Sequence, residues 1–349
     1  MVIRPLGLGS VSFIDKIEHS GRCNVEREER YRETLAPEFR IFHLSFIKAS
    51  SGTSLIPHGT KLVEIDMNTQ THRLFSRRNF IRTGLIGALS SYGYAYWIEP
   101  DRLSVTRQDI LLPHLPKSLD GLIIAQLTDF HYQPDSQEEL ISEAVKITNA
   151  ANADIIALTG DYITHTTGVF APLMELLGKL RAKHGIYGVM GNHDGWYGSV
   201  SYFKKGFRET GLEFLVNQGT SIKINGENVY ITGTDSIWSG TVDSPACYRG
   251  HSGEPVIALV HEPDVFDSLR QNHRVDLQLS GHTHGGQCRV PLVGYAPVKV
   301  RYGENYIHGE YQKDDSRIFV SRGLGTVGHR VRFACAPEVA ILTLRSGRS

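Results

Sequence analysis

The sequence has no excess charge of either sign and few cysteines. Lysine plus arginine and aspartate plus glutamate each total 37 in the 349 residues, so the formal net charge is zero. A neutral chain offers no electrostatic reason to expect a nucleic acid partner. The 4 cysteines include no C-x-x-C pair, which argues against a zinc knuckle or a disulfide scaffold. The chain has 16 histidines, however, and this directs attention to imidazole chemistry.

The front of the chain lacks an apolar pattern that would predict helices or strands. Residues 1–66 are mixed in charge and show no clear apolar period. After Met67 a polar stretch leads to Arg77 and Arg78, and residues 83–97 carry no charge. This order resembles a twin-arginine export signal. A transmembrane span needs about 20 apolar residues, so the segment is expected to be a cleaved signal or a retained anchor.

The position of this signal predicts how the chain is organised. Export signals of this kind act at an N-terminus, and Met67 is the only methionine between Met1 and Met174. We therefore predict that translation starts at Met67. The chain then divides into residues 1–66, unassigned and not translated, residues 67–100, a twin-arginine signal or anchor, and residues 101–349, one folded domain. The signal also predicts the twin-arginine export machinery as a partner, membrane association through residues 83–98, and a location in the periplasm, on the outer face of the membrane or in the cell wall.

Three short apolar runs, residues 122–127, 154–159 and 186–190, each lead into a polar turn. Runs of this length are typical of buried strands. Helical patterns separate them, and alternating strands and helices predict parallel strands joined by right-handed crossovers. The carboxyl ends of such strands share one edge of the sheet, where ligands bind in open α/β folds. The sequence therefore predicts a site in these turns.

Two helices and further strands complete the predicted domain. A capping-box pattern at Ser136 predicts a helix that ends near residue 151, and a second helix is expected over residues 172–182. The pair Asn225-Gly226 is typical of a hairpin turn. The other predicted strands are residues 103–110, 221–224, 228–232, 255–260, 318–321 and 339–344. No linker interrupts this region, which indicates a single domain.

The glycine-rich stretch around His282 and His284 is a strong candidate for chemistry. It follows the apolar run 275–280 and reads Gly-His-Thr-His-Gly-Gly-Gln. In extended backbone, positions i and i+2 face the same side, so both imidazoles would point the same way. The glycines let the backbone come close to whatever the imidazoles hold. Neutral imidazole commonly binds zinc, iron or manganese, although a polar turn with two solvated histidines has the same pattern.

Polar residues in five blocks follow the predicted strands. Each residue alone has an ordinary structural explanation as a cap, a turn residue or a core histidine. Together, in this order and at the ends of strands, they predict a metal centre. They are Asp129, His131, Asp161, Asn192, His193, Asp194, His261, His282 and His284. Nitrogen and oxygen donors without cysteine favour Mn, Fe or Zn over Mg or Ca.

These blocks resemble those of the calcineurin-like metallophosphoesterase family over residues 122–344. Within that family the chain is most similar to the bacterial branch exported by the twin-arginine route, which shares the Gly-His-Thr-His-Gly-Gly-Gln block. The resemblance implies a four-layer α/β/β/α sandwich in which two mixed sheets pack between outer helices. It also implies two divalent transition metal ions. The first would be held by Asp129, His131 and His284, the second by Asn192, His261 and His282, and Asp161 would bridge both.

The resemblance further implies a reaction. A hydroxide bridging the two ions would attack a phosphodiester or phosphomonoester, with His193 as the proton donor and Asp194 as the residue that orients it. One alternative is a pyrophosphate hydrolase of a nucleotide-linked lipid sugar of the UDP-2,3-diacylglucosamine type. Another is a non-catalytic metal-binding envelope protein.

The sequence also has aromatic segments at residues 195–198, 237–239 and 291–306, which would line the pocket or pack against it.

Overall fold

The structure is a computed structural model that describes residues 76–297 and 299–347. The predicted untranslated segment, residues 1–66, and the predicted start at Met67 lie outside the described residues. Within the described part, the chain forms two six-stranded sheets with helices on their outer faces.

The first helix, α1 (Arg77–Trp97), begins at the predicted twin-arginine pair. Its sequence contains three arginines and no acidic residue, and Ala95 is its only buried residue. Its C-terminal end contacts the domain, where the Ala95 carbonyl accepts the Arg332 N–H at 3.0 Å. Among residues 76–297 and 299–347, no helix combines the length and the apolar character that a membrane span requires.

The first sheet contains the three strands whose polar turns were singled out in the sequence. Its strands are β1 (Ser104–Leu112), β2 (Ile123–Leu127), β3 (Ile155–Leu158), β4 (Ile186–Gly188), β5 (Glu213–Phe214) and β12 (Glu338–Ser346). Their spatial order is β1-β12-β2-β3-β4-β5. Strands β2 to β5 run parallel, while β12 is antiparallel to β2 and parallel to β1. The predicted parallel arrangement of β2, β3 and β4 is therefore confirmed.

The second sheet is built from the strands of the second half of the chain. They are β6 (Gln218–Ile224), β7 (Glu227–Gly233), β8 (Val256–Leu259), β9 (Leu277–Ser280), β10 (Gly309–Lys313) and β11 (Ser316–Val320). Their order is β10-β11-β9-β8-β7-β6, with antiparallel pairs at both edges and parallel pairs between them. The predicted turn between β6 and β7 is confirmed, since Asn225 and Gly226 both have positive φ, 50° and 91°.

Six further helices follow α1 in the described part of the chain. They are α2 (Pro134–Ala150), α3 (Phe170–Leu177), α4 (Asn192–Tyr197), α5 (Val200–Glu209), α6 (Ser244–Cys247) and α7 (Val265–Asn272). The capping box at Ser136 is wrong, because Pro134 starts α2 two residues earlier and its ring fixes the φ that a first helical turn needs. The helix predicted over 172–182 ends at Leu177 instead. There the side chain of Asn149 binds the Lys179 carbonyl and the Arg181 N–H, which supplies non-helical partners for that backbone.

Apolar side chains from the two sheets face each other and form the central core. This core includes Ile124, Ile155 and Tyr187 from the first sheet and Ile231, Leu259 and Leu279 from the second. Helices α2, α3 and α5 cover the outer face of the first sheet, and α7 covers that of the second. With both faces covered, every residue of β3, β8 and β9 is buried. The α/β fold with two mixed sheets is thus confirmed.

Candidate metal centre

All of the predicted site residues lie at one edge of the two sheets, where the carboxyl ends of β2, β3, β4, β8 and β9 meet. None of their side chains is well exposed, and the largest exposed fraction among the residues is 6%. The residues are Asp129, His131, Asp161, Asn192, His193, Asp194, His261, His282 and His284. Burying so many titratable groups is costly unless they pair with each other or bind a cation.

Several of these residues have a backbone that side chains rarely adopt. Positive φ angles occur at Asp129 (50°), His131 (41°), Asp161 (54°), His282 (73°) and His284 (51°). The two histidines of the glycine-rich stretch therefore do not have the extended backbone that would point both imidazoles the same way. Such backbone costs of order 1–3 kcal/mol per residue and clusters at functional sites. Here the residues include two pairs two positions apart, Asp129 with His131 and His282 with His284, and all of these side chains are buried in one site.

Two glycines leave room for the acidic side chains. A Cβ on Gly191 would lie 2.2 Å from the Asp161 Oδ1 atom, and a Cβ on Gly281 would lie 2.2 Å from the Asp129 Oδ2 atom. Both distances are far below van der Waals contact. The glycines at the strand ends therefore allow the close approach of the carboxylates.

The first cluster contains Asp129, His131 and His284. The Nε2 atoms of the two histidines lie 3.1 Å apart, and the Nε2 atom of His284 lies 3.4 Å from Asp129 Oδ1. One ligand atom from each residue lies within 4.8 Å of the others, so the three could hold one metal ion. The structure brings together the residues predicted for the first ion.

The second cluster contains Asp161, Asn192, His261 and His282. The Asn192 Oδ1 atom lies 3.2 Å from His261 Nε2 and 2.8 Å from His282 Nδ1. The Asp161 Oδ2 atom lies 3.1 Å from His261 Nε2 and 3.3 Å from His131 Nε2. Its carboxylate therefore lies between the two clusters, as a bridging ligand would.

The hydrogen bonds around the second cluster show that its nitrogen and oxygen atoms are suited to bind a cation. His261 Nδ1 lies 2.6 Å from the Thr159 carbonyl, and His282 Nε2 lies 2.7 Å from the Arg301 carbonyl. A carbonyl only accepts, so these nitrogens carry the hydrogens and the other nitrogen of each neutral ring is a bare acceptor. Those bare nitrogens face the oxygens of Asn192 and Asp161. Acceptors that converge without a hydrogen between them are suited to a metal ion.

Without a cation, a proton takes that place. Burial alone would lower the pKa of His261, but the Asp161 carboxylate outweighs it and holds that pKa well above its ordinary value. Burial, followed by the charge on His261, lowers the pKa of His282 to about 3. The proton shared by His261 and Asp161 must leave when a metal binds, so metal affinity is expected to fall as the pH falls.

His193 lies beside both clusters but is oriented by a residue that the sequence did not single out. Its Nδ1 atom donates to the Thr164 carbonyl at 2.9 Å, and its ring lies edge-on to His131 with 4.8 Å between centroids. Burial lowers the pKa of His193 to about 4, although Asp161 opposes the shift. The ring is therefore neutral near pH 7 in the absence of ligands. The prediction that Asp194 orients this ring and keeps it basic is wrong.

Asp194 instead holds two loops together. Its Oδ2 atom accepts the N–H groups of Asp161 (2.8 Å) and Gly191 (2.9 Å), and its Oδ1 atom accepts those of Tyr162 (2.9 Å) and Ile163 (3.2 Å). The side chain points back into the backbone because Asp194 lies in the first turn of α4. It thus fixes the turn after β3 against the turn after β4.

Replacing Asp194 with asparagine is expected to destabilise the fold. An amide NH2 group would face two backbone N–H donors, which leaves them without acceptors and should cost about 3 kcal/mol in the free energy of unfolding by urea. The control is Asp243→Asn, because Asp243 accepts a single N–H at an exposed helix start and should cost about 1 kcal/mol or less. If the variant instead keeps its stability but loses activity, Asp194 takes part in catalysis.

Arg332 is a buried cation that sequence reasoning did not assign. Its guanidinium donates to the carbonyls of Arg322, Gly323, Gly325 and Cys335. The Gly325 N–H in turn donates to the Asp129 carbonyl at 2.6 Å, so the arginine supports the loop behind the first cluster. The partners are all backbone carbonyls three to ten residues away, and backbone carbonyls leave no residue pattern in the sequence.

Aromatic side chains pack against two histidines of the centre. Trp196 lies edge-on to His193 and to Trp238, with centroids 4.8 and 4.9 Å apart, and Trp238 lies 5.6 Å from His282. The Trp238 loop is held by the buried carboxylate of Glu262, which accepts from the Ser236 hydroxyl. In two of the three predicted aromatic segments, an aromatic ring therefore packs directly against a site histidine.

Comparisons with known proteins find relatives of this chain. A family model described as calcineurin-like phosphoesterase matches residues 122–286. The uncharacterized metallophosphoesterase YkuE of Bacillus subtilis is 34% identical over 285 residues, which cover 78% of this chain and 98% of YkuE. The phosphodiesterase YaeI of Escherichia coli is 31% identical over 278 residues, covering 78% of this chain and all of YaeI. Among solved structures, an archaeal phosphodiesterase covers 59% of this chain and 87% of its own, at 14% identity and a TM-score of 0.35.

Proposed function

This chain belongs to the calcineurin-like phosphoesterase family, and from that premise we propose that it is a phosphodiesterase with two divalent transition metal ions, Mn, Fe or Zn, in its centre. As a family member it is a metal-dependent hydrolase of phosphoric esters. The observation that carries the finer proposal is the pair of clusters that share the Asp161 carboxylate. The proposed ligands are Asp129, His131, Asp161, Asn192, His261, His282 and His284.

The residues of the centre suit the hydrolysis of a phosphate ester. Bound divalent ions would lower the pKa of a water molecule and neutralise charge on the phosphoryl group. Asp161 would hold the two halves of the centre in register. His193, fixed through Nδ1 by the Thr164 carbonyl, would pass a proton to the departing oxygen. An anionic ester beside the ring favours the imidazolium form, which offsets the effect of burial on its pKa.

The experiment that tests this proposal combines metal analysis with a substrate comparison. The purified chain is assayed with bis-p-nitrophenyl phosphate, p-nitrophenyl phosphate and a UDP-linked lipid sugar. Two equivalents of transition metal with faster cleavage of the diester would support the phosphodiesterase. Preferred cleavage of the pyrophosphate would favour the lipid-sugar alternative. Bound metal without turnover would favour a non-catalytic envelope protein, and no bound metal would undo the ligand assignment.

Export by the twin-arginine route is proposed from the sequence at the start of α1. Replacing both Arg77 and Arg78 with lysine should lower the exported fraction at least roughly tenfold, because export signals of this class are recognised through the arginine pair. Arg82→Lys, in the same helix, is the matched control and should be exported normally. The measurement is the fraction of protein outside the cytoplasm. Equal export of the double variant and the control would contradict this route.

A further inference from the structure

A turn at residues 290–295 exposes large apolar side chains to solvent. The exposed fractions are 108% for Leu292, 76% for Val293 and 59% for Tyr295. Beyond this turn, α1 and the residue that follows α1, the described chain has one other strongly exposed large apolar side chain, Tyr202 at 39%. A cluster of such residues on a soluble surface marks an interaction site more often than single exposed residues do.

The turn is closed by its own backbone hydrogen bonds. The Val290 N–H donates to the Tyr295 carbonyl, and the Gly294 N–H donates to the Val290 carbonyl, both at 2.8 Å. Arg289 Nε donates to the Gly294 carbonyl at 2.8 Å and secures the base of the turn. The apolar side chains therefore project from a formed turn and do not fold back onto the domain.

Both ends of the segment that carries this turn are attached to the metal centre. The segment begins directly after the turn that contains His284. It ends at Arg301, whose carbonyl accepts the His282 Nε2–H at 2.7 Å. Between these points, the buried side chain of Ala296 packs against Gly286. The position of the apolar turn is thus coupled to two of the proposed metal ligands.

The segment is also positively charged. Residues 277–303 include Arg289, Lys299 and Arg301 and contain no acidic residue. Within the described part of the chain, none of these three side chains forms an ion pair with a carboxylate. Lys299 Nζ donates to a backbone carbonyl at 3.0 Å, so its charge is not neutralised. An apolar turn whose flanking basic residues form no ion pair is complementary to an anionic membrane surface.

We propose that the turn at residues 290–295 docks the protein on an anionic lipid bilayer. Leu292 and Val293 enter the interfacial layer, and the basic residues that flank the turn in sequence, Arg289, Lys299 and Arg301, contact the phosphate headgroups. A protein partner fits less well, because a stable interface buries about 800 Å² on each side, more than one six-residue turn offers. Docking would hold the metal centre at the membrane. This part of the proposal rests on the proposed function: the substrate is then a phosphoric ester carried by a membrane lipid.

A tryptophan at the tip of the turn would report its insertion directly. The full chain with Leu292→Trp is mixed with phosphatidylglycerol vesicles whose acyl chains are brominated, and indole fluorescence is compared with that of the wild type. The added indole should be quenched at least about twofold. The matched control is Tyr202→Trp on α5, whose indole should not be quenched. Unbrominated vesicles give the background change in fluorescence. Phosphatidylcholine vesicles and 0.5 M salt test whether the contact depends on the negative charge of the lipid.

The possible outcomes distinguish the alternatives. Quenching at position 292 that disappears on phosphatidylcholine or in high salt supports docking on anionic lipid. Vesicle binding without quenching at that position would assign the contact to α1 and overturn the proposal. A blue shift without vesicles that grows with protein concentration would indicate a second copy of the chain as the partner and would also overturn it. The assay contains no substrate, so it tests membrane docking even if the proposed hydrolase function is wrong.

Discussion

Replacing Asp161 with asparagine is expected to lower the turnover of bis-p-nitrophenyl phosphate by at least about 10³-fold, which corresponds to roughly 4 kcal/mol. The Asp161 Oδ2 atom lies 3.3 Å from His131 Nε2 and 3.1 Å from His261 Nε2, so one oxygen serves both clusters. The neighbouring His261 and His193 outweigh burial and hold the pKa of Asp161 well below its ordinary value, so the native side chain is charged at neutral pH. An amide of the same size removes that charge. The measurements are kcat and metal content by mass spectrometry.

Asp154→Asn is the matched control for this variant because Asp154 lies at the opposite end of β3. Its carboxylate accepts the Ile123 N–H at 2.8 Å and pairs with Lys183, far from the metal-binding edge. Its turnover should stay within about threefold of the wild type once the protein is folded. If Asp161→Asn keeps two equivalents of metal and normal turnover, the shared carboxylate is not a bridging ligand and the two-ion proposal fails.

The strands of this fold are easier to predict than its helices. Strands β2, β3 and β4 are short apolar runs because helices cover one face and the second sheet covers the other, and that burial is visible in the sequence. Helix α4 carries little such signal, because it begins inside the polar Asn-His-Asp block. Helix α5 does have an apolar period, since Val200, Phe203 and Phe207 stand at i, i+3 and i+7 and pack on the core. Its ten residues bury only the two phenylalanines, and it was not among the helices predicted from the sequence.

The residue types of the centre were predictable, but the hydrogen-bond partners of some of its side chains were not. Histidine, aspartate and asparagine at strand ends predicted a metal centre, because parallel strands bring those ends to one edge, and the resemblance to the family implied its division into two groups of ligands. The partners of each side chain depend on backbone turns that the sequence does not encode locally. Asp194 follows His193 directly, yet its carboxylate points to four N–H groups, while the distant Thr164 carbonyl orients the imidazole.

Replacing His193 with alanine is expected to lower turnover by about 10²–10⁴-fold and to leave the metal content unchanged. The ring nitrogen that does not bind the Thr164 carbonyl is the one available to exchange a proton in the site. Losing it removes proton transfer to the leaving oxygen, which lowers kcat more than it changes KM. His165→Ala is the control, because His165 is exposed and its ring lies 6.2 Å from that of His193.

The geometry also offers His193 another role that the same variants can exclude. Together with His131 and Asp161 it forms a third group of side chains whose ligand atoms lie within 4.8 Å of one another, so it could hold a metal ion itself. Loss of metal in His193→Ala would establish that role and remove it from proton transfer. His193→Asn separates proton transfer from positioning, because an amide can still donate to the Thr164 carbonyl but cannot exchange a proton near neutral pH. If the chemistry requires the proton, the asparagine variant will be as slow as the alanine variant, whereas recovered turnover would mean that His193 only supports the loop.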